Sequence, residues 1–194
     1  GNTDDTEMMD DDSDEDQMDE DMNGSSDTDD SSNGVSETDT QDISGLDGNP
    51  ISAQESTFEF EGYGPGKSHL GTFQVWDGAI ETGDDSLVSS VKGILDASSV
   101  KTDSAGLDRH LKSEDFFNVE MYPTIEFTST EIDDETMRGD LTFHGVTREL
   151  VIPVTSRTES SIESEFILNM TRFGIEYMGV NEEVRIAFNF VAES

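Results

Sequence analysis

Beyond residue 56 the chain alternates apolar and polar positions in short runs, separated by glycine, asparagine and aspartate. Residues 57–61 place Phe58 and Phe60 on one face of a strand. Gly62-Tyr63-Gly64-Pro65-Gly66 then supplies three glycines and a proline, which predicts a break there. The alternation resumes over 70–76, with Phe73 and Val75 facing together, and 87–100 reads as one strand with a ragged start. Further strands are predicted over 124–132, 137–143, 149–155 and 163–170. The last strand of the chain is the cleanest: Val184, Ile186, Phe188, Phe190 and Ala192 share one face, and Arg185, Ala187, Asn189 and Val191 share the other. Such half-apolar alternation suits antiparallel sheets with one covered face.

Residues 104–119 depart from this pattern. Leu107, Leu111 and Phe116 recur at near-helical spacing, and Ser113 stands before Glu114-Asp115 as an N-cap would. One or two short helices are expected. Seven or eight strands around one helical excursion make the fold all-β, and sandwich and barrel satisfy the count equally.

Composition divides the chain. Residues 1–49 hold no lysine, arginine or aromatic residue, yet carry 19 of the 46 acids. Such a segment cannot bury enough apolar surface to offset its conformational entropy, so a disordered acidic tail is expected over 1–49. Asp10, Asp12 and Asp14 imitate the start of a calcium loop, but Glu15 occupies the sixth position, where that loop requires glycine. The second unit, 50–194, carries 27 acids against all ten bases, a net charge of −17, together with every aromatic residue. That length suffices for one core.

This charge argues against nucleic acid as a partner and against electrostatic binding to an anionic membrane. It also suits a protein soluble in high salt, where self-repulsion is screened. No cysteine is present, which excludes disulfides and thiolate metal sites. No apolar run approaches the ~20 residues of a membrane-spanning helix.

The motif Leu107-Asp108-Arg109-His110-Leu111-Lys112-Ser113-Glu114-Asp115-Phe116-Phe117-Asn118-Val119, followed by Tyr122-Pro123-Thr124-Ile125-Glu126-Phe127, resembles the hallmark of the YceI family. Gly71-Thr72-Phe73 with Trp76-Asp77-Gly78, Ser99-Val100-Lys101-Thr102-Asp103, and Arg172-Phe173-Gly174-Ile175 are similar to further family elements. Gly139-Asp140-Leu141-Thr142-Phe143-His144-Gly145-Val146-Thr147-Arg148 matches another almost throughout. The matches keep family order across about 56–192, while the Gly62–His69 loop resembles only a subset of the family.

The resemblance implies an antiparallel, lipocalin-like β-barrel with a lengthwise apolar cavity and one short helical segment. It further implies export to the periplasm or cell surface and binding of a polyisoprenoid or quinone-like lipid. A small barrel can enclose one ligand, and burial contributes ~0.8 kcal/mol per CH₂ without any charged group. Cavity-lining residues are expected to be Phe58, Phe60, Phe73, Trp76, Phe116, Phe117, Phe127, Leu141, Phe143, Phe166, Leu168, Phe188 and Phe190. Of Phe116 and Phe117, one is expected to pack the core and one to line the entrance. Arg109, His110 and Arg172 are candidates for contact with a lipid head group.

Catalysis finds little support. His69, His110 and His144 lie at no metal-ligand spacing, and His110 and His144 are expected to be hydrogen-bonded structural residues. Ser113 and Asp115 are explained by helix capping. No metal or other cofactor is expected. The leading reading is therefore a non-catalytic carrier or store of a long-chain lipid. Its alternatives are a filled structural barrel and, more remotely, a lipid-acting enzyme. A tail of this kind is expected to tether a lipoprotein whose anchoring cysteine preceded Gly1, and a homodimer is compatible with the sequence.

Overall fold

The computed structural model describes residues 48–193 except Met178. The tail expected over 1–49 lies, up to residue 47, outside the described residues. The strands are β1 (Asn49–Pro50), β2 (Thr57–Gly64), β3 (Lys67–Phe73), β4 (Trp76–Thr82), β5 (Val88–Asp96) and β6 (Val100–Thr102). Helix α1 (Ala105–Lys112) follows. The chain continues through β7 (Thr124–Ile132), β8 (Thr136–Phe143), β9 (Val146–Pro153), β10 (Ser156–Arg157), β11 (Ser161–Asn169) and β12 (Glu183–Val191).

Among the described residues these strands form two antiparallel six-stranded sheets, ordered β1-β4-β5-β7-β8-β9 and β10-β11-β12-β2-β3-β6. Two corners join them. β3 runs into β4 through Gln74 and Val75, and β5 runs into β6 through a 3₁₀ turn, Ala97–Ser99. Both members of this pair bend together, since Phe73 faces Val100 in one sheet and Trp76 faces Leu95 in the other. On the opposite side Ser164 Oγ donates to the Pro153 carbonyl at 2.6 Å, and Thr155 N donates to Glu163 O at 2.9 Å. Both sheet junctions are thereby bridged, giving the barrel.

Turn chemistry sets the register. His144 and Gly145 take φ of 50° and 71°, the paired left-handed values that a two-residue hairpin needs between β8 and β9. Pro65-Gly66 turns β2 into β3, with Gly66 at φ 87°. The break expected from Gly62 is therefore confined to this turn. Gly62 and Gly64 remain in β2 because each keeps a cross-strand partner, His69 and Lys67 respectively.

The helical region meets expectation in its helix and departs from it at Ser113. One helix forms, and Ser113 ends it rather than starting another: its hydroxyl donates to the His110 carbonyl at 2.7 Å. The local hydrogen bond that suits serine to an N-cap serves here to occupy a last-turn carbonyl.

Candidate functional site

Inward side chains enclose an apolar cavity of about 400 Å³ at the end of the barrel nearer α1. β2 and β3 supply Phe58, Phe60 and Phe73, the first two with ring centroids 5.9 and 5.8 Å from the third. Phe127 on β7, Leu141 and Phe143 on β8, Leu150 and Ile152 on β9, Phe166 and Leu168 on β11, and Val184 and Ile186 on β12 continue the wall. Leu107 and Leu111 of α1, with Phe116 and Phe117 after it, cover the top.

Two of these rings depend on glycine next door. The Phe60 ring lies over Gly71, its cross-strand partner, and the Phe127 ring lies over Gly139. A Cβ at either glycine would stand inside the ring's van der Waals envelope.

The mouth is a cluster of rings with polar neighbours. His110 packs edge-on against Phe116 and Tyr177, at centroid distances of 4.9 and 4.8 Å. Tyr63, His69, Glu176, Asn181 and Glu182 complete the polar part of the wall, which includes no lysine or arginine among the described residues. His69 Nδ1 donates to Asp103 at 2.6 Å, and this bond holds the Asp103 carboxyl below its ordinary range. Tyr63 OH donates to Glu61 at 3.0 Å. Hydrogen bonds from Ser68 and then Tyr63 lower the Glu61 carboxyl, and the same contact with Glu61 raises the Tyr63 phenol.

Helix α1 is fastened to the barrel by Asp108. Its carboxylate accepts from Lys101 Nζ at 2.6 Å, from Thr102 N at 2.7 Å and from Thr102 Oγ1 at 2.6 Å. The Lys101 ammonium and then the Thr102 hydroxyl lower its pKa to about 2. This clamp orients the helix that carries Leu107, His110 and Leu111 into the wall.

Of the thirteen residues expected to line a cavity, ten do so and Trp76, Phe188 and Phe190 do not. Phe188 and Phe190 stack at 4.5 Å, with Trp76 5.7 Å from Phe190. They lie on the inward face, as alternation requires, but further along the barrel than the cavity reaches. Phe116 and Phe117 both line it. Phe116 stands at the mouth beside His110, and Phe117 lies deeper, 5.2 Å from Phe143.

Among the expected head-group contacts, His110 is in the wall, whereas Arg109 and Arg172 are exposed outside it. Arg172 Nη2 instead donates to the Glu149 carbonyl at 2.9 Å. His144 meets its structural expectation, donating through Nδ1 to the Phe173 carbonyl at 3.2 Å. His110 is held by ring contacts rather than by a hydrogen bond among those described.

Leu150, Ile152, Val184 and Ile186 also line the cavity, a share of the wall that aromatic residues alone do not mark. The last two were legible, since they share the inward face of β12 with Phe188. Tyr177 carried no signal, lying in a segment without period. No group of three His, Asp or Glu converges among the described residues.

The folded part is similar to proteins already known. A UPF0312 protein of Photorhabdus laumondii is 37% identical over 87 residues, spanning 42% of this chain and 45% of that protein. Another, from Pseudomonas savastanoi, is 32% identical over 133 residues, covering 58% of this chain and 69% of its own length. The chain thus spans less than half of the first relative. Among solved structures, BcnA of Burkholderia cenocepacia superposes with a TM-score of 0.66 at 18% identity, over 74% of this chain and 99% of that one. A polyisoprenoid-binding domain from Saccharophagus degradans, described as implicated in plant cell wall breakdown, gives 0.57 at 15%, over 74% and 98%. At such identities the likeness speaks for the fold. The YceI-like domain profile matches residues 50–192, in register with the barrel and its helical motif, and the chain belongs to the YceI-like family.

Proposed function

We propose that this barrel binds a lipid with a long apolar tail, of the polyisoprenoid or quinone-like kind, and carries or stores it without changing it. The observation that carries the reading is the cavity itself: about 400 Å³, walled by aromatic and aliphatic side chains, with polar groups only around its mouth. A filled structural barrel would have no such space. The volume falls in the range of small-molecule sites, ~300–1,000 Å³. The solved relative from Saccharophagus degradans that is described as a polyisoprenoid-binding domain supports the choice of ligand class.

Among the described residues the wall holds no nucleophile–base pair, which supports a binding role over catalysis. His69 with Asp103 is the nearest approach to one, yet no serine or threonine hydroxyl bonds the other His69 nitrogen among the described residues. We place the protein outside the cytoplasm, tethered by its acidic N-terminal stretch. The 19 acids and absence of any base in residues 1–49 support this reading.

Native mass spectrometry of the purified protein, followed by organic extraction, tests the reading. A stoichiometric long-chain lipid is the expected result. A clean apo mass, with no uptake from a panel of prenols, quinones and fatty acids, would overturn it.

A further inference from the structure

The cavity occupies one half of the barrel, and on the adjacent strands β11 and β12 it stops at the same level, while on β2 it still reaches Phe58, the partner of Phe188. On β12 the inward face reads Val184, Ile186, Phe188, Phe190; the first two belong to the wall and the last two do not. On β11, Phe166 belongs to the wall while Ser164 and Ile162, further along the same face, are buried and outside it. The register aligns these breaks, because Ile186 faces Phe166 and Phe188 faces Ser164. Beyond this level the barrel is solid. Ile80, Val88, Val91, Met137 and Ile162 are each at most 1% exposed.

The three aromatic residues expected in the wall form the boundary. Phe188 lies 6% exposed and stacks on Phe190 with the planes 14° apart, and Phe190 in turn meets Trp76. Phe188 is backed by the close-packed core, with the half-buried Phe190 and Trp76 packed against it, and rings so held yield little because such interiors have almost no spare volume to receive them.

We infer that the barrel takes a lipid tail of about fifteen carbons, with Trp76, Phe188 and Phe190 as the floor that sets this length. The inference rests on the proposed lipid-binding function and narrows it. An apolar cavity of about 150 Å³ holds a six-carbon ring, roughly 25 Å³ per carbon. On that scale about 400 Å³ accepts roughly sixteen carbons, or three isoprene units. A tail of eight units would leave most of its length outside the wall.

The test is a titration of the full chain with prenyl alcohols of two, three, four and eight isoprene units, read by calorimetry or displacement of a fluorescent lipid. Affinity rises by roughly fourfold per buried methylene up to three units and is flat, within about threefold, beyond. Trp76→Ala with Phe190→Ala moves the plateau outward by at least one unit. Should that pair fail to fold, Phe190→Leu alone lengthens the preferred chain by a smaller step. Continued steep gains from three to eight units in the unaltered protein would overturn the floor while leaving lipid binding intact. Binding at no length would overturn the lipid-binding reading itself.

Discussion

Asp108, in the first turn of α1, takes both the backbone N–H and the hydroxyl of Thr102, at 2.7 and 2.6 Å. Ser104, at the N-cap position, makes no side-chain cap bond, so Asp108 provides the link between the helix and the end of β6. Burial of this carboxylate is offset by three donors, with the Lys101 ammonium as counter-charge.

The clamp predicts an acid-labile contribution to stability. Lys101 and Thr102 hold the Asp108 pKa at about 2, below the ordinary carboxylate value. The stabilisation is therefore complete above about pH 4 and is lost as pH falls through about 2. Asp108→Asn keeps the shape but removes the charge, and is expected to cost about 2 kcal/mol at neutral pH. Denaturant midpoints of the two proteins should differ at pH 7 and converge towards pH 2. A constant difference across that range would place the stabilisation elsewhere.

How much of this was legible varies with the kind of information each element needed. β7 is legible over 124–132 because Pro123 marks its start and Ile125 and Phe127 alternate with polar neighbours, although the irregularity between Ser129 and Glu131 breaks the period further on. The face of β12 was equally plain. Depth was not: Phe188 and Phe190 have the same parity as Ile186, and a period of two tells inside from outside but not floor from wall. Ser113 misled because a serine hydroxyl bonds local backbone at either end of a helix. Arg172 misled because a guanidinium satisfies a backbone carbonyl as readily as a lipid head group.

Gly139 leads to a prediction about cavity shape. A methyl group there would collide with the Phe127 ring, pushing it toward the cavity, and would also press on the Thr128 carbonyl oxygen of the neighbouring strand. Gly139→Ala is expected to destabilise by ~1–3 kcal/mol, as overpacking does, and to weaken lipid binding. Phe127→Leu in the same chain should relieve the ring part of the clash and restore lipid binding more than stability, because the contact with the Thr128 carbonyl remains. Thermal unfolding and lipid titration of the single and double variants form the test. Absence of rescue would show that the glycine matters for its backbone rather than for the ring.

The barrel end away from α1 has its own fastening. Arg157 is nearly buried, and its guanidinium donates to Val88 O at 2.7 Å, Asp134 at 2.9 Å and Asp85 at 3.0 Å. Two separate chain segments, 85–88 and the turn holding Asp134, converge on one planar fork, a geometry lysine cannot reproduce. Arg157→Lys and Arg157→Met are both expected to lose about 2 kcal/mol, a fall in Tm of several degrees. Prenol affinity at the distant cavity should change less than twofold. A large loss of binding would mean that the two ends of the barrel are coupled.

The wall's polar groups predict selectivity for head-group charge. Glu176 and Glu182 stand at the mouth, and the nearby bases Lys67 and Arg109 are outside the wall. A carboxylate or phosphate entering there meets like charge, about 1 kcal/mol per acid at ~4 Å even in water. A fifteen-carbon alcohol should therefore bind roughly tenfold more tightly than the carboxylate of the same chain at pH 7. An amine of that length should at least match the alcohol. Raising the salt from ~0.1 M to ~1 M shortens the Debye length from ~10 to ~3 Å and should narrow the gap. Glu176→Gln with Glu182→Gln should narrow it at low salt. Tighter binding of the carboxylate would instead bring the head group within reach of Lys67 or Arg109, and charge reversal at those two positions would then locate it.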